Sequence, residues 1–186
     1  MGRSFSLLNA VQFLDALNEN LFKYIVVYFL IFYQGHKNTS TIMALTGAIF
    51  ILPFILFSSL GGLFADRFSK TKIIKKTRFM QIALMTLALL FVAFRLGNLI
   101  YLILFVVTSL SAIFGPSKYG IISELVTKKE LLKANGYIAA FTFFGIILGT
   151  ALASLLDTLT HQTFTFMMIA CIAISILGTF LSCLMD

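Results

Sequence analysis

The sequence predicts an all-α membrane protein, a bundle of six transmembrane helices. Three observations carry that prediction. The first is composition. Of 186 residues, 60% are hydrophobic and only 11% are charged, whereas a soluble domain is about 45–50% apolar and about 25% charged. Seven acids and fourteen bases cannot build a soluble surface, which argues against a soluble globular enzyme. Disorder requires low hydrophobicity and is argued against on the same ground. The second is distribution. The apolar residues fall into six runs, about 6–33, 42–64, 74–94, 98–118, 134–156 and 163–185, and about 20 residues are needed to cross a ~30 Å hydrocarbon core. The runs are too long for a signal-peptide core and are apolar all round, unlike the short alternating strands of a barrel. The third is the sorting of basic residues between loops, taken up below.

The first run carries charges that lipid does not tolerate. Asp15, Glu19 and Lys23 follow at four-residue spacing, one stripe of a helix, widened by Gln12 and Asn20. An ionisable group at mid-membrane costs about 2.5 kcal/mol or more and usually faces a cavity or a partner. A purely structural reading pairs Glu19 with Lys23 and leaves Asp15 neutral. The functional reading, favoured by three ionisable groups on one span, is a polar cavity that binds or passes a solute.

The later runs read as follows. Pro53 interrupts the second and predicts a kink, because proline removes a backbone donor. Arg95 closes the third as an interfacial anchor. In the fourth, Lys118 follows Gly115-Pro116. It can turn into the bundle or snorkel to the surface, and position alone favours snorkelling. In the fifth, Gly145, Gly149 and Ala153 form a small-residue seam for close helix packing. The sixth holds both cysteines, Cys171 and Cys183, about 18 Å apart along the axis and unable to bond to each other. Buried free thiols are expected. Tyr33 and Tyr101, with Tyr119 and Tyr137 on the other side, are expected in the interfacial belts of a chain that has no Trp.

The connections are short except for two charged loops, about 65–73 and 119–133. If six helices alternate, ten bases share one side: Arg3, Arg67, Lys70, Lys72, Lys75, Lys76, Arg78, Lys128, Lys129 and Lys133, against Lys37 and Arg95 on the other. Cytoplasmic loops are enriched in Lys and Arg, so both termini of the segment are expected in the cytoplasm. The net charge of +7 is thus a topology signal, with contact to anionic membrane lipids as a by-product. Nucleic acid is not an expected partner, since no stacking array of aromatics accompanies these bases. His36 and His161 lie in short outer loops. No metal-ligand cluster, cofactor motif or acyltransferase His-x-x-x-x-Asp pattern is present, and Asp157 and Asp186 at span ends suggest nothing catalytic.

Two motifs narrow the reading. Gly62-Leu63-Phe64-Ala65-Asp66-Arg67-Phe68-Ser69-Lys70 resembles the signature loop of the major facilitator superfamily, Gly-x-x-x-Asp-Arg/Lys-x-Gly-Arg/Lys, at that family's position between helices 2 and 3. Gly62, Asp66, Arg67 and Lys70 match, and Ser69 replaces the usual glycine. Gly62 is expected to permit close packing there. The second motif runs Gly115-Pro116-Ser117-Lys118-Tyr119-Gly120-Ile121, then Glu124-Leu125, then Ala134-Asn135-Gly136. With Gln12-Phe13-Leu14 and Glu19-Asn20 it resembles the bacterial lysophospholipid transporter branch, with Glu19 standing where the branch has Asp. The likeness covers roughly residues 8–157.

The resemblance implies a twelve-helix fold of two six-helix bundles, of which this chain is the N-terminal one, the C-terminal half being absent. It implies alternating-access transport of a lysophospholipid, chiefly lysophosphatidylethanolamine, from the outer to the inner leaflet of the bacterial inner membrane. An acyltransferase and acyl-carrier-protein synthetase, fused downstream in some relatives, then restore the second chain. The substrate-binding residues it suggests are Asp15, Glu19, Asn20 and Lys118, with Gly62, Asp66, Arg67 and Lys70 in the gating loop. A wall rich in the chain's 21 Phe would face the lipid tail. Under the resemblance Lys118 turns inward to meet the phosphate or to pair with Glu19. The alternatives are a facilitator of a drug or metabolite, and a membrane anchor for a fused acyltransferase.

Overall fold

The computed structural model describes residues 2–161 and 163–185, and of residues 65 and 66 only the backbone. Asp186 therefore lies outside the described residues. The described residues form six long α-helices: α1 (Arg3–Gln34), α2 (Thr39–Arg67), α3 (Lys70–Ala93), α4 (Gly97–Leu125), α5 (Leu131–Leu159) and α6 (Phe164–Cys183). Short 3-10 turns cover His36–Asn38 and Lys128–Glu130. There is no strand among the described residues. Each predicted run falls on one helix to within two residues at its ends, and α2 to α6 are long and apolar enough to cross a membrane. The polar residues of α1 keep it out of that group.

At the two charged connections the helices extend beyond the hydrophobic runs, and this corrects the two long loops. Between α2 and α3 only Phe68 and Ser69 are non-helical, and α4 continues past Lys118 to Leu125. Charged residues on a terminal helical turn are solvated without cost, so hydropathy ends before the helix does. Pro53 and Pro116 both sit inside unbroken helices. At the start of the second connection Thr127 and Glu130 form a reciprocal capping box. The Thr127 hydroxyl and then its backbone amide donate to the Glu130 carboxylate and hold its pKa below the usual value. The box is thus intact at neutral pH and opens only as pH falls through that lowered value. The α3–α4 turn is short, spanning residues 94–96. Arg95, exposed as expected, supplies its left-handed residue at φ 57°.

Packing explains why α1 is the polar helix. It lies against α5, α6, α4 and α2, and from Asp15 to Phe22 every residue is buried. A helix that meets protein on all sides does not need an apolar surface. The outward faces of its neighbours do, and Ile55, Phe143 and Ile147 are exposed there. The seam residues work as expected. Gly145 and Gly149 bring α5 so close to α1 that a Cβ on Gly145 would stand 2.6 Å from the Phe13 carbonyl oxygen, while one on Gly149 would strike the Leu17 backbone. A Cβ on Gly136, on the same helix, meets nothing within 4 Å. Gly149→Ala is therefore expected to lower stability by about 1–3 kcal/mol. Gly136→Ala should be neutral or stabilising by up to about 1 kcal/mol. Thermal unfolding in detergent checks the pair.

Two apolar cores occupy the ends of the bundle. One joins Leu21, Ile25 and Phe29 to Met85, Leu104 and Met168. The other joins Phe5, Leu8 and Val11 to Ile74, Phe114, Ile121 and Ile138. The buried polar residues of α1 from Gln12 to Asn20 lie in the stretch between them. Cys171 belongs to the first core, whereas Cys183, expected to be buried, is exposed.

Candidate functional site

The polar residues of α1 do not interact as a single stripe. Each reaches a different neighbour. Gln12 Nε2 donates to Thr142 Oγ1 of α5 at 2.8 Å, and Asn18 Nδ2 to Ser175 Oγ of α6 at 2.8 Å. Asp15 Oδ1 meets Arg78 of α3 at 2.5 Å and accepts from Gln81 Nε2 at 3.3 Å. Glu19 accepts a hydrogen bond from the Ser111 hydroxyl of α4. Lys23 does not pair with Glu19. Its ammonium lies 3.4 Å from Asn20 Oδ1 and 4.7 Å from the centre of the Phe50 ring on α2. Thus α1 is a polar hub that ties together the other five helices.

A cavity of about 500 Å³ opens beside this hub. Its lining includes Asp15, Glu19, Asn20 and Lys118, so the structure brings the four predicted binding residues to one space. Phe50, Phe54 and Phe114 supply apolar wall. Lys118 does not snorkel. It is 7% exposed, and its ammonium sits 4.8 Å from the centre of the Tyr119 ring and 5.8 Å from that of Phe114. Among the described residues it forms no ion pair and no hydrogen bond. Glu19, 9% exposed, faces the same cavity. Pro116 matters to this geometry because it has no N–H for the carbonyl of Ala112, itself a lining residue. Gly61 of α2 fills that place: a Cβ there would stand 2.9 Å from the Ala112 oxygen.

Arg78 was assigned to the cytoplasmic loop by base counting, and the structure corrects this. The residue is 3% exposed and sits in the bundle against Asp15, its guanidinium 5.0 Å from the Phe114 ring centre. Nine of the ten bases then remain for the basic side, still far more than two. A signal was present: Ile74, Thr77, Arg78, Gln81 and Met85 are spaced as one buried helical face. Ser111 and Thr142 carried no comparable signal.

The signature segment is mostly helical. Gly62 to Arg67 end α2, and Lys70 begins α3. The side chain of Asp66 lies outside the described residues. Arg67 is exposed. The close approach to α4 is made by Gly61, not Gly62, since nothing stands within 4 Å of a Cβ on Gly62. Lys70 Nζ reaches Glu124 Oε1 at 2.6 Å, joining the start of α3 to the end of α4. Its stem crosses Gly120, where a Cβ would come within 2.8 Å of Lys70 Cε. The two motifs thus meet in space. The pair is solvent-accessible, so Lys70→Ala should lower stability by no more than about 1 kcal/mol, read as a small shift of the unfolding midpoint.

A helical bundle with membrane-length apolar helices, a polar hub and a cavity lined by charged residues has the architecture of a multi-pass membrane protein. The Major Facilitator Superfamily profile matches residues 8–185, and the chain belongs to that family. It is similar to the lysophospholipid transporter LplT of Citrobacter koseri, 30% identical over 149 residues, covering 79% of this chain and 35% of the relative. LplT of Salmonella arizonae is 31% identical over 151 residues, with 78% and 34% covered, and LplT of Klebsiella pneumoniae 29% over 147 residues, with the same coverage. These relatives agree with the branch read from the sequence motifs. The chain spans about a third of the length of the curated relatives it matches.

Proposed function

We propose that the chain is the N-terminal six-helix half of a lysophospholipid transporter in the bacterial inner membrane, with α1 spanning the membrane alongside α2 to α6 and both ends of the segment cytoplasmic. The observation that carries the reading is Lys118, a buried ammonium without an anionic partner among the described residues, facing the cavity that Glu19 also faces. Such a cation is costly unless an anion visits it. A lysolipid phosphate is that anion. Glu19 receives the ammonium of an ethanolamine head, because Asp15 is already paired with Arg78. Asn20 remains a lining residue that can hydrogen-bond the head. The phenylalanine-rich wall takes the single acyl chain.

A second six-helix half closes the open side of the cavity. Rocking of the two halves about this central site moves the head from the outer to the inner leaflet, where an acyltransferase and acyl-carrier-protein synthetase act on it. The signature segment, with Gly62, Asp66, Arg67 and Lys70, lies at the moving boundary. No covalent chemistry or cofactor is involved.

The test is inward movement of labelled lysophosphatidylethanolamine by the full-length protein in proteoliposomes. Movement that saturates with lysolipid and is indifferent to hydrophilic solutes supports the reading. Broad competition by polar metabolites or drugs without lysolipid dependence replaces it with a facilitator of another substrate. An acyltransferase function of a longer chain, with no lysolipid movement, replaces it with an anchor.

A further inference from the structure

A second cavity, of about 410 Å³, lies between the end of α2, the first turns of α3 and the middle of α4. It shares no lining residue with the central cavity. Lys72 and Lys76 stand one helical turn apart on its rim, and Phe64, Phe68, Met80 and Leu110 form its apolar wall. Both lysines are exposed, and among the described residues neither forms an ion pair. Their neighbours on α3 differ: Lys70 is paired with Glu124 and Arg78 with Asp15. Phe64 and Phe68 stack at 5.9 Å and are exposed, as are Met80 and the two lysines. Along α3 the groove therefore passes from two ammonium groups to an apolar slot within about two turns.

We propose that this groove binds an anionic diacyl phospholipid of the surrounding leaflet. The charge pattern selects the head. Two lysines without a carboxylate among the described lining residues favour a net negative head. A zwitterionic head would bring its own ammonium against them, with no carboxylate among the described lining residues to receive it. The apolar wall selects an amphiphile over a free anion, because inorganic phosphate leaves Phe64, Phe68 and Met80 uncovered. The helix-end position suits a lipid, since basic pockets between membrane helices hold anionic head groups where the leaflet's own lipids supply them. The groove requires only that the chain span a membrane, so it is independent of the transported substrate.

The test uses the full-length protein in nanodiscs, with fluorescent phosphatidylglycerol, phosphatidylcholine of the same chains, and inorganic phosphate as competitor. The expected result is a preference of roughly tenfold or more for phosphatidylglycerol. Lys72→Gln/Lys76→Gln should abolish the preference, while Lys128→Gln/Lys129→Gln, an equal loss of charge at another exposed site, retains it. The unfolding midpoint in lipid-free detergent should be the same for both variants, which establishes that folding is intact. The proposal is overturned if the Lys72/Lys76 variant keeps the preference, if both variants lose it equally, or if phosphate displaces the lipid at matching concentration.

Discussion

Arg78→Ala should lower the stability of the bundle by about 3–5 kcal/mol, although composition and position make this arginine look like one more cytoplasmic base. The change leaves Asp15 buried without its cation, with Gln81 as its remaining donor at 3.3 Å. Breaking one side of a buried pair costs that much because the surviving charge is uncompensated. Asp15→Leu should be comparably harmful, since it strands the Arg78 guanidinium over Phe114. The double replacement Asp15→Leu/Arg78→Met removes both charges and should recover much of the loss, as apolar replacements of buried pairs often do. A double-mutant cycle on thermal unfolding in detergent measures this. Additive losses would mean that the two side chains do not act as a pair.

Lys118→Ala should have the opposite profile. No carboxylate among the described residues pairs with Lys118, so its removal relieves a buried charge instead of stranding one. Stability should hold or rise. Transport should fall by roughly ten- to a hundredfold, the equivalent of losing one charge-assisted hydrogen bond of about 1.5–3 kcal/mol to the phosphate. Lys118→Arg should retain part of the activity, because it keeps the cation while changing its shape. Loss of stability together with loss of transport would mark Lys118 as a structural residue.

The contrast between these two cations shows where sequence reasoning ended. The six runs were legible because lipid imposes a length and a polarity that composition reports directly. The Gly145–Gly149 seam was legible because glycines at four-residue spacing share one helical face. The polar residues of α1 were legible as anomalies, since charge in a membrane span is costly wherever it points. Their partners were not. Periodicity places Asp15 and Glu19 on one stripe, but α1 is surrounded, and a short difference in direction sends one to α3 and the other to α4. Arg78 was hidden by its company, next to Lys75 and Lys76 at the margin of the third run. Lys118 was ambiguous for a related reason: a lysine near a helix end can leave the bundle or enter it, and the hydropathy run ended at the residue itself. Only the continuation of α4 through Pro116 to Leu125 puts it well inside a helix. The connections were overestimated because hydropathy measures contact with lipid, and helices continue into water.

In the proposed mechanism two opposite charges in one cavity recognise a zwitterionic lysolipid head, Lys118 through the phosphate and Glu19 through the ammonium. The most direct measurement compares uptake of lysophosphatidylethanolamine and lysophosphatidylglycerol, which has no ammonium, by the full-length protein carrying Lys118→Ala or Glu19→Gln. Lys118→Ala should slow both lipids about tenfold or more, whereas Glu19→Gln should slow the ethanolamine lipid and leave the glycerol lipid close to its original rate. Unchanged uptake of both lipids in both variants would contradict it.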